Sequence, residues 1–579
     1  MKKEAQDESP SALEEIGERR LARRTFLKGA LATAPLLFID PSRLWAQKEQ
    51  PDEVTGPSTT TEPYIVPSID GVEFVSILTV GDAVGKYRMV GIPDGLGAFE
   101  NGRGMFTLLM NHELGGTDGA VHAHGSKGAF VSRWTIDRRT LKVLEGEDFT
   151  QSPDDVNIWD SALKQHVTGT TVWQRLCSGD LAKEGAFFAN GKGTKERLYL
   201  NGEETTTRVN NVVVEQGRCW ARIVTGKHSG EAWELPRLGR MAFENVVASP
   251  LAQEKTIVVL LDDSAISTAP VISDSVPSEV YVYIGTKQKD GHPIEQAGLT
   301  NGNLYGVKIS VGGNPVTEES NDFGLGTQAT GFIGEGKFSL HNLGDVSGLT
   351  AVRIQDLSIA AGVARLQRVE DGAWDPRQRH GNDFYFVTTA SLTANCRLWR
   401  LRFDDIKNPE KGGTIEILLA GDEGHGMLDN VTIDGLGRIL MDEDPGNSGR
   451  LAKLWLYSID TGDFIQVGEQ SPKFFDQTIA NNPDFITQDE ESSGIIDVEH
   501  ILGQGWFLLD VQVHKENPDP ELVEFGQLLA LFVDPEIGAG SANGNDDDKD
   551  DKKGNDRDKD KRKARRRHRG DDDKRNAKG

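Results

Sequence analysis

Cysteine is scarce in this chain: Cys177, Cys219 and Cys396 are the three in 579 residues. They lack the paired spacing of a thiolate zinc site or a redox motif, and at most one disulfide can form among them. A chain this long buries a large core and needs no such staples. Long apolar runs are missing too. Apart from one short N-terminal stretch, nothing is long enough to span a bilayer, so the mature chain is expected to stay off the membrane. Positive charge is in deficit, with 64 Lys and Arg against 90 Asp and Glu and a formal net charge of -26. That disfavours duplex nucleic acid as a partner and leaves cations, basic surfaces or a cation-bridged anionic substrate. No nucleophile elbow, phosphate loop or zinc-helix motif stands out, and segments with a 3.6-residue apolar period are few.

What the chain does have is one pattern used repeatedly. Leu198-Tyr199-Leu200-Asn201-Gly202-Glu203-Glu204 is a short apolar run that stops in two adjacent carboxylates. The same grammar returns in Leu108-Leu109-Met110-Asn111-His112-Glu113, Val258-Val259-Leu260-Leu261-Asp262-Asp263, Ile439-Leu440-Met441-Asp442-Glu443-Asp444 and Phe507-Leu508-Leu509-Asp510-Val511-Gln512-Val513-His514. Runs this short, bounded by polar or Gly positions, read as buried strands. If the strands belong to one radial body, their ends converge on one mouth, where carboxylates repel unless cations neutralise them. The competing reading is a set of solvated turns, in which Asp and Glu are common.

Taken in order, residues 1–46 carry Arg23-Arg24-Thr25-Phe26-Leu27-Lys28, then an apolar stretch from Gly29 to Ile39 and a cleavage position after Ala46, the form of a twin-arginine export signal. That places the mature protein in the periplasm or outside the cell. Residues 47–68, rich in Pro, Thr, Glu and Gln, read as a linker, and residues 69–538 as the folded body. Short apolar runs separated by Gly, Asn and Asp turns make that body all-β. A weak repeat (Asn303 to Val307, Arg397 to Leu401, Lys453 to Tyr457, Gln527 to Leu531) favours a β-propeller with long inserted loops over a sandwich. Helices are expected only in inserts, at Leu181 to Lys195 and around Asp345 to Asp356. From Ala539 to Gly579 the composition collapses into Asp, Lys, Arg, Gly and Asn, from which no core can be built, so a disordered charged tail is expected.

The motifs in this order resemble the PhoX-type alkaline phosphatases, a family of twin-arginine-exported β-propellers that use calcium and iron. The resemblance runs from about Val75 to Asp534. It is carried by Asn111-His112-Glu113, Gly202-Glu203-Glu204, Gly239-Arg240-Met241-Ala242-Phe243-Glu244, Leu260-Leu261-Asp262-Asp263, Arg368-Val369-Glu370-Asp371, Leu428-Asp429-Asn430-Val431, Met441-Asp442-Glu443-Asp444 and Asp510-Val511-Gln512-Val513-His514. It implies Glu113, Glu203, Glu204, Glu244, Asp262 and Glu443 as metal ligands, with Asn111, Asp429 and Asn430 able to complete coordination. Arg368 is expected to orient an anionic oxygen through its planar fork, with Arg240 second, and His112 to ligate or donate to substrate. The family's iron-bridging cysteine precedes the paired glutamates, where this chain has Gly202, and Phe243 stands where the family has His. The surviving carboxylates suit calcium.

The function implied is an exported, monomeric, metal-dependent phosphomonoesterase acting on small phosphate esters. Two alternatives stand beside it: a non-catalytic calcium-binding envelope propeller, supported by Gly202, and a calcium-dependent lactonase or esterase. Against each residue stands a plainer role, namely a turn acid, an ion-paired arginine or a packed histidine.

Overall fold

The computed structural model describes residues 54–210, 212–263 and 277–538; the expected export signal and the expected disordered tail lie outside the described residues. The described residues build six antiparallel blades. Their strands, innermost first, begin with Pro93–Gly102, Met105–His112, Phe130–Asp137 and Val143–Asp148 in the first blade. The second has Leu176–Leu181, Leu198–Glu203, Cys219–Ile223 and Ala232–Glu234, and the third Phe243–Ala248, Lys255–Asp262, Pro277–Thr286 and Asn303–Val311. The fourth has Val369–Trp374, Asp383–Thr388, Arg397–Phe403 and Gly413–Leu419, and the fifth Leu428–Ile433, Arg438–Glu443, Lys453–Ser458 and Phe464–Gln470. The sixth joins Glu490–Asp497, Trp506–Glu516 and Glu524–Val533 to Val72–Thr79, so the two ends of the body close the ring together. The innermost strands pack against one another in sequence around the ring, the sixth returning to the first.

All five apolar runs that end in acids or amides are second strands, in the first, second, third, fifth and sixth blades. They are buried on both faces because each blade is stacked between two others, which is why they read as continuous aliphatic runs rather than alternating ones. Six apolar clusters fill the six inter-blade gaps. Leu200, Ala221, Val246 and Leu260 pack between the second and third blades, and Leu508, Leu528, Leu108 and Trp134 between the sixth and first. Aliphatic burial of about 25 cal/mol per Å² makes these gaps the main stabilising layer.

Two expectations shift. Leu181 to Lys195 contains only the short helix Glu184–Phe187 followed by small strands, while the second candidate is a true helix displaced toward the C-terminus, Ala351–Ala361, capped by Thr350 and ended by Gly362 at φ 72°. The body also starts before Ile69: Val54–Thr55 pairs in parallel with Val75–Ser76, and Ile65–Pro67 forms the outer edge of the fifth blade.

Candidate metal centre

Each innermost strand begins where the second strand of its blade ends, as in the pairings Pro93 with His112, Leu176 with Glu203, Phe243 with Asp262 and Leu428 with Glu443. All six innermost strands therefore open at one mouth. Their second residues are Asp94, Cys177, Glu244, Glu370, Asp429 and Glu491, one from each blade, all buried. In five blades a break in register falls at these positions, between Asp94 and Leu96, Leu176 and Gly179, Phe243 and Asn245, Val369 and Gly372, and Leu428 and Val431, and in the sixth it lies two residues beyond Glu491, between Ser493 and Ile496. Such bulges interrupt the period-two alternation and re-aim side chains.

Around this ring the ligating atoms form a continuous arc. Asp94, Glu113 and Cys177 lie within 4.8 Å of one another, as do Cys177, Glu204 and Glu244, and Glu244, Glu370 and Asp429. Cys177 and Glu244 each belong to two triads, the position of a group shared between two cations. Beside the arc, hydrogen bonds tie the fifth blade to the second across the ring and to the sixth next to it: Asn430 donates through Nδ2 to Ser178 Oγ at 2.7 Å, and its Oδ1 accepts from Ser493 Oγ at 2.8 Å and the Gly494 amide at 2.6 Å. Ser178 Oγ in turn donates to Glu244 Oε1 at 2.8 Å.

So many carboxyls in one buried place strain their own ionisation. Burial first, and then the charge of neighbours, pushes Asp94, Glu244, Glu370, Asp429 and Glu491 well above the usual carboxylate range, and Glu204 up to about 7. Burial likewise raises the Cys177 thiol, with Asp94 and Glu244 adding to it. Asp510, wholly buried beside Asp94, has both carboxylate oxygens without a hydrogen-bond partner. A ring of anions with orphaned oxygens fits bound cations, since uncompensated buried charge costs several kcal/mol per group. The donor set is carboxylate-rich with one sulfur, able to serve a hard divalent ion and a thiolate-tolerant transition metal.

Two arginines stand on the rim, each the residue immediately before an innermost strand and each in the left-handed region, Arg175 at φ 44° and Arg368 at φ 56°. Backbone strain of about 1–3 kcal/mol at such positions persists only where the surroundings fix it. Arg175 Nη2 contacts Glu113 Oε1 at 2.6 Å and also pairs with Glu204. Arg368 meets Asp263 through Nε and Nη2, both at 3.0 Å, and Glu370 at 3.0 Å. Arg368 also lines a cleft of about 400 Å³ with Ala390, Ser391, Leu392, Thr393, Met427, Pro445 and Asn447.

Of the residues expected from sequence, Glu113, Glu204, Glu244, Asp429 and Arg368 are at the centre, Asn111 and Asn430 spend their amides on hydrogen bonds beside it, and five are not. Glu203 is locked by Arg218 Nε at 2.6 Å, Glu443 by Arg450 Nη2 at 2.6 Å, and Asp262 hydrogen-bonds Glu279. Arg240 pairs with Glu234 at 2.8 Å. His112 is a packed histidine, stacked on Phe130 at 4.2 Å and hydrogen-bonded to Ser132 Oγ at 2.9 Å. The expectation that Gly202 deprives the centre of its thiol is also overturned. A Cβ at 202 would come within 2.2 Å of Phe243 Cβ in the gap between two blades, while Cys177 supplies sulfur from the neighbouring strand. Sequence reasoning missed Asp94, Cys177 and Glu491. The signal available for Asp94 was spacing, because Asp94 precedes Glu113 by the same interval as Glu244 precedes Asp263.

No family model and no curated protein matches the chain. Among solved structures, PhoX of Pseudomonas fluorescens in complex with vanadate, a transition-state analogue, aligns with a TM-score of 0.54 at 12% identity, covering 84% of this chain and 98% of that one. A protein of unknown function from Dyadobacter fermentans aligns at 0.36 with 8% identity over 80% of this chain and 100% of its own. A luciferin-regenerating enzyme aligns at 0.33 with 9% identity over 77% and 92%. The chain thus shares its propeller fold with PhoX.

Proposed function

We propose that this chain is an exported metal-dependent phosphoesterase that hydrolyses small phosphate monoesters at the six-blade ring, using calcium together with an iron-class cation. The observation that carries the reading is the arc in which Cys177 and Glu244 are each shared between two ligand triads, with donors coming from the first five blades in turn. Cations held there would polarise a phosphoryl group and acidify water. The chain's own residues do the rest. Arg368, with its Nε and Nη2 edge held by Asp263 and Glu370, leaves Nη1 for a substrate oxygen and stabilises charge that grows as the ester bond breaks. Arg175, half exposed on the other side of the third blade, offers a second cationic contact. Ser178 and Asn430 hold the Glu244 carboxylate in place. The thiol at Cys177 removes the main support for a non-catalytic calcium propeller, because the centre retains a soft donor.

The test is elemental analysis of protein exported through its own signal, with hydrolysis of a chromogenic phosphomonoester measured on the same preparation. Calcium plus iron with hydrolysis is the expected result; calcium alone without turnover would sink the enzyme reading. Adjacent variants then check the site. Glu204→Gln should lower kcat at least a hundredfold with loss of metal. Glu203→Gln should keep turnover and lose stability, because it leaves Arg218 without its partner.

A further inference from the structure

On the face opposite the mouth, an imidazole and a carboxylate of the second blade meet an imidazole of the third. Strand Cys219–Ile223 starts beside Gly202 at the mouth and runs away from it, as does Pro277–Thr286, which starts near Leu261. The turns that follow therefore lie on the far side. His228 is in the first of them, Glu231 closes it, and His292 is in the second, just ahead of the short helix Pro293–Gln296. His228 Nδ1 lies 2.6 Å from Glu231 Oε1, and His292 Nε2 lies 3.1 Å from Glu231 Oε2. One ligating atom from each falls within 4.8 Å of the other two.

The surroundings hold the three in place. Trp233 Nε1 donates to Glu231 Oε2 at 2.8 Å, and the Trp233 ring lies 4.3 Å from that of His292. Glu196 presses against the same turn: a Cβ at Gly226 would come within 2.5 Å of Glu196 Oε1, and Glu196 Oε2 is buried without a hydrogen-bond partner. The charge of His228 reaches Glu196, and a simple hydrogen-bonded clasp would not bring an unpartnered buried carboxylate oxygen so near one of its imidazoles.

We propose that His228, Glu231 and His292 form a second metal site, chemically distinct from the ring, that takes a zinc-class cation and clasps the second blade to the third. Two imidazoles and one carboxylate are a nitrogen-rich donor set that favours zinc-class ions over calcium. Binding displaces the protons now shared between the imidazoles and the carboxylate. The partial exposure of all three side chains, 22% for His228, 23% for Glu231 and 19% for His292, leaves an open position for water and a path for the ion.

The test uses the full-length protein, stripped with chelator and reloaded with calcium and iron so that the ring, including its Cys177 position, is occupied before zinc is added. Zinc is then titrated while melting temperature and bound metal are followed, with cobalt as a spectroscopic stand-in. Wild type is expected to take up one zinc equivalent that raises Tm and to give cobalt absorption bands of imidazole coordination. His228→Ala and His292→Ala should each lose that equivalent and the Tm rise while phosphoester turnover is unchanged. Equal zinc shifts in wild type and both variants, or no zinc uptake by wild type, would overturn the site. Should the alanine variants fail to fold, Glu231→Gln keeps the hydrogen-bonding shape and must still weaken zinc binding at least tenfold. Failure of this clasp leaves the ring assignment standing, because its readouts do not involve the mouth.

Discussion

At the end of a strand, adjacent acidic residues face opposite ways. In Glu203-Glu204, Asp262-Asp263 and Glu443-Asp444 the first acid turns into its blade, to Arg218, Glu279 and Arg450. The second turns to the mouth, where Glu204 joins Cys177 and Asp263 holds Arg368, while Asp444 bears electrostatically on Asp429 and Glu491. Sequence showed that acids gather at strand ends, but which member of a pair faces the centre depends on where the pleat stops. The same scale explains a buried imidazole. His124 is 1% exposed, packs on Trp173 at 4.3 Å, and has Nε2 without a hydrogen bond. Burial, with help from the Arg222 charge, pulls it from 6.5 down to about 4. The folded state thus refuses a proton that the unfolded chain accepts, so this residue's contribution is present above pH 6.5 and lost as pH falls toward 4. His124→Phe keeps the ring packing and removes the titration. Urea midpoints should show the variant losing less stability than wild type between those limits, by on the order of 1–3 kcal/mol; identical slopes would mean that the imidazole titrates freely in the fold.

The legible elements were the second strands, because burial on both faces writes itself as an aliphatic run. The innermost strands were harder to see. They are short of aliphatics, each carries a bulge, and a bulge breaks the alternation by which a strand's faces are assigned. Glu244, Glu370 and Asp429 were within reach through family-like motifs, whereas Arg175-Leu176-Cys177-Ser178 resembled nothing and left the thiol unassigned. Gly202 illustrates the cost of reading one strand without its neighbour. It pairs with Cys219 inside the sheet, and its α-carbon lies against Phe243 of the next blade. A cysteine placed there would have to displace that ring instead of reaching a cation. Gly202→Cys should therefore lower stability by about 1–3 kcal/mol through overpacking without adding iron. A gain in bound iron or in turnover from this variant would restore position 202 as a ligand site.

Across the whole molecule, six blades converge their acids on one axis, and the closure of the sixth blade by Val72–Thr79 prevents the ring from relaxing outward. Charge therefore has to be neutralised in place, by cations or by protons. In protein freed of metal, protons do that work, which is why Glu204 rises from 4.5 to about 7. A carboxyl whose folded value is raised contributes stability below its unfolded value and loses it as pH climbs through its folded one. Chelated protein should accordingly grow less stable from about pH 4.5 toward 7, with the drop steepened by the other ring carboxyls. Calcium-loaded protein should show no such decline, because the cations hold the carboxylates charged at every pH in that window. Melting temperatures across that range, with and without chelator, decide the matter. Parallel curves would mean that the acids of the ring are neutralised by Arg175 and Arg368 alone and that the mouth has no need of a metal.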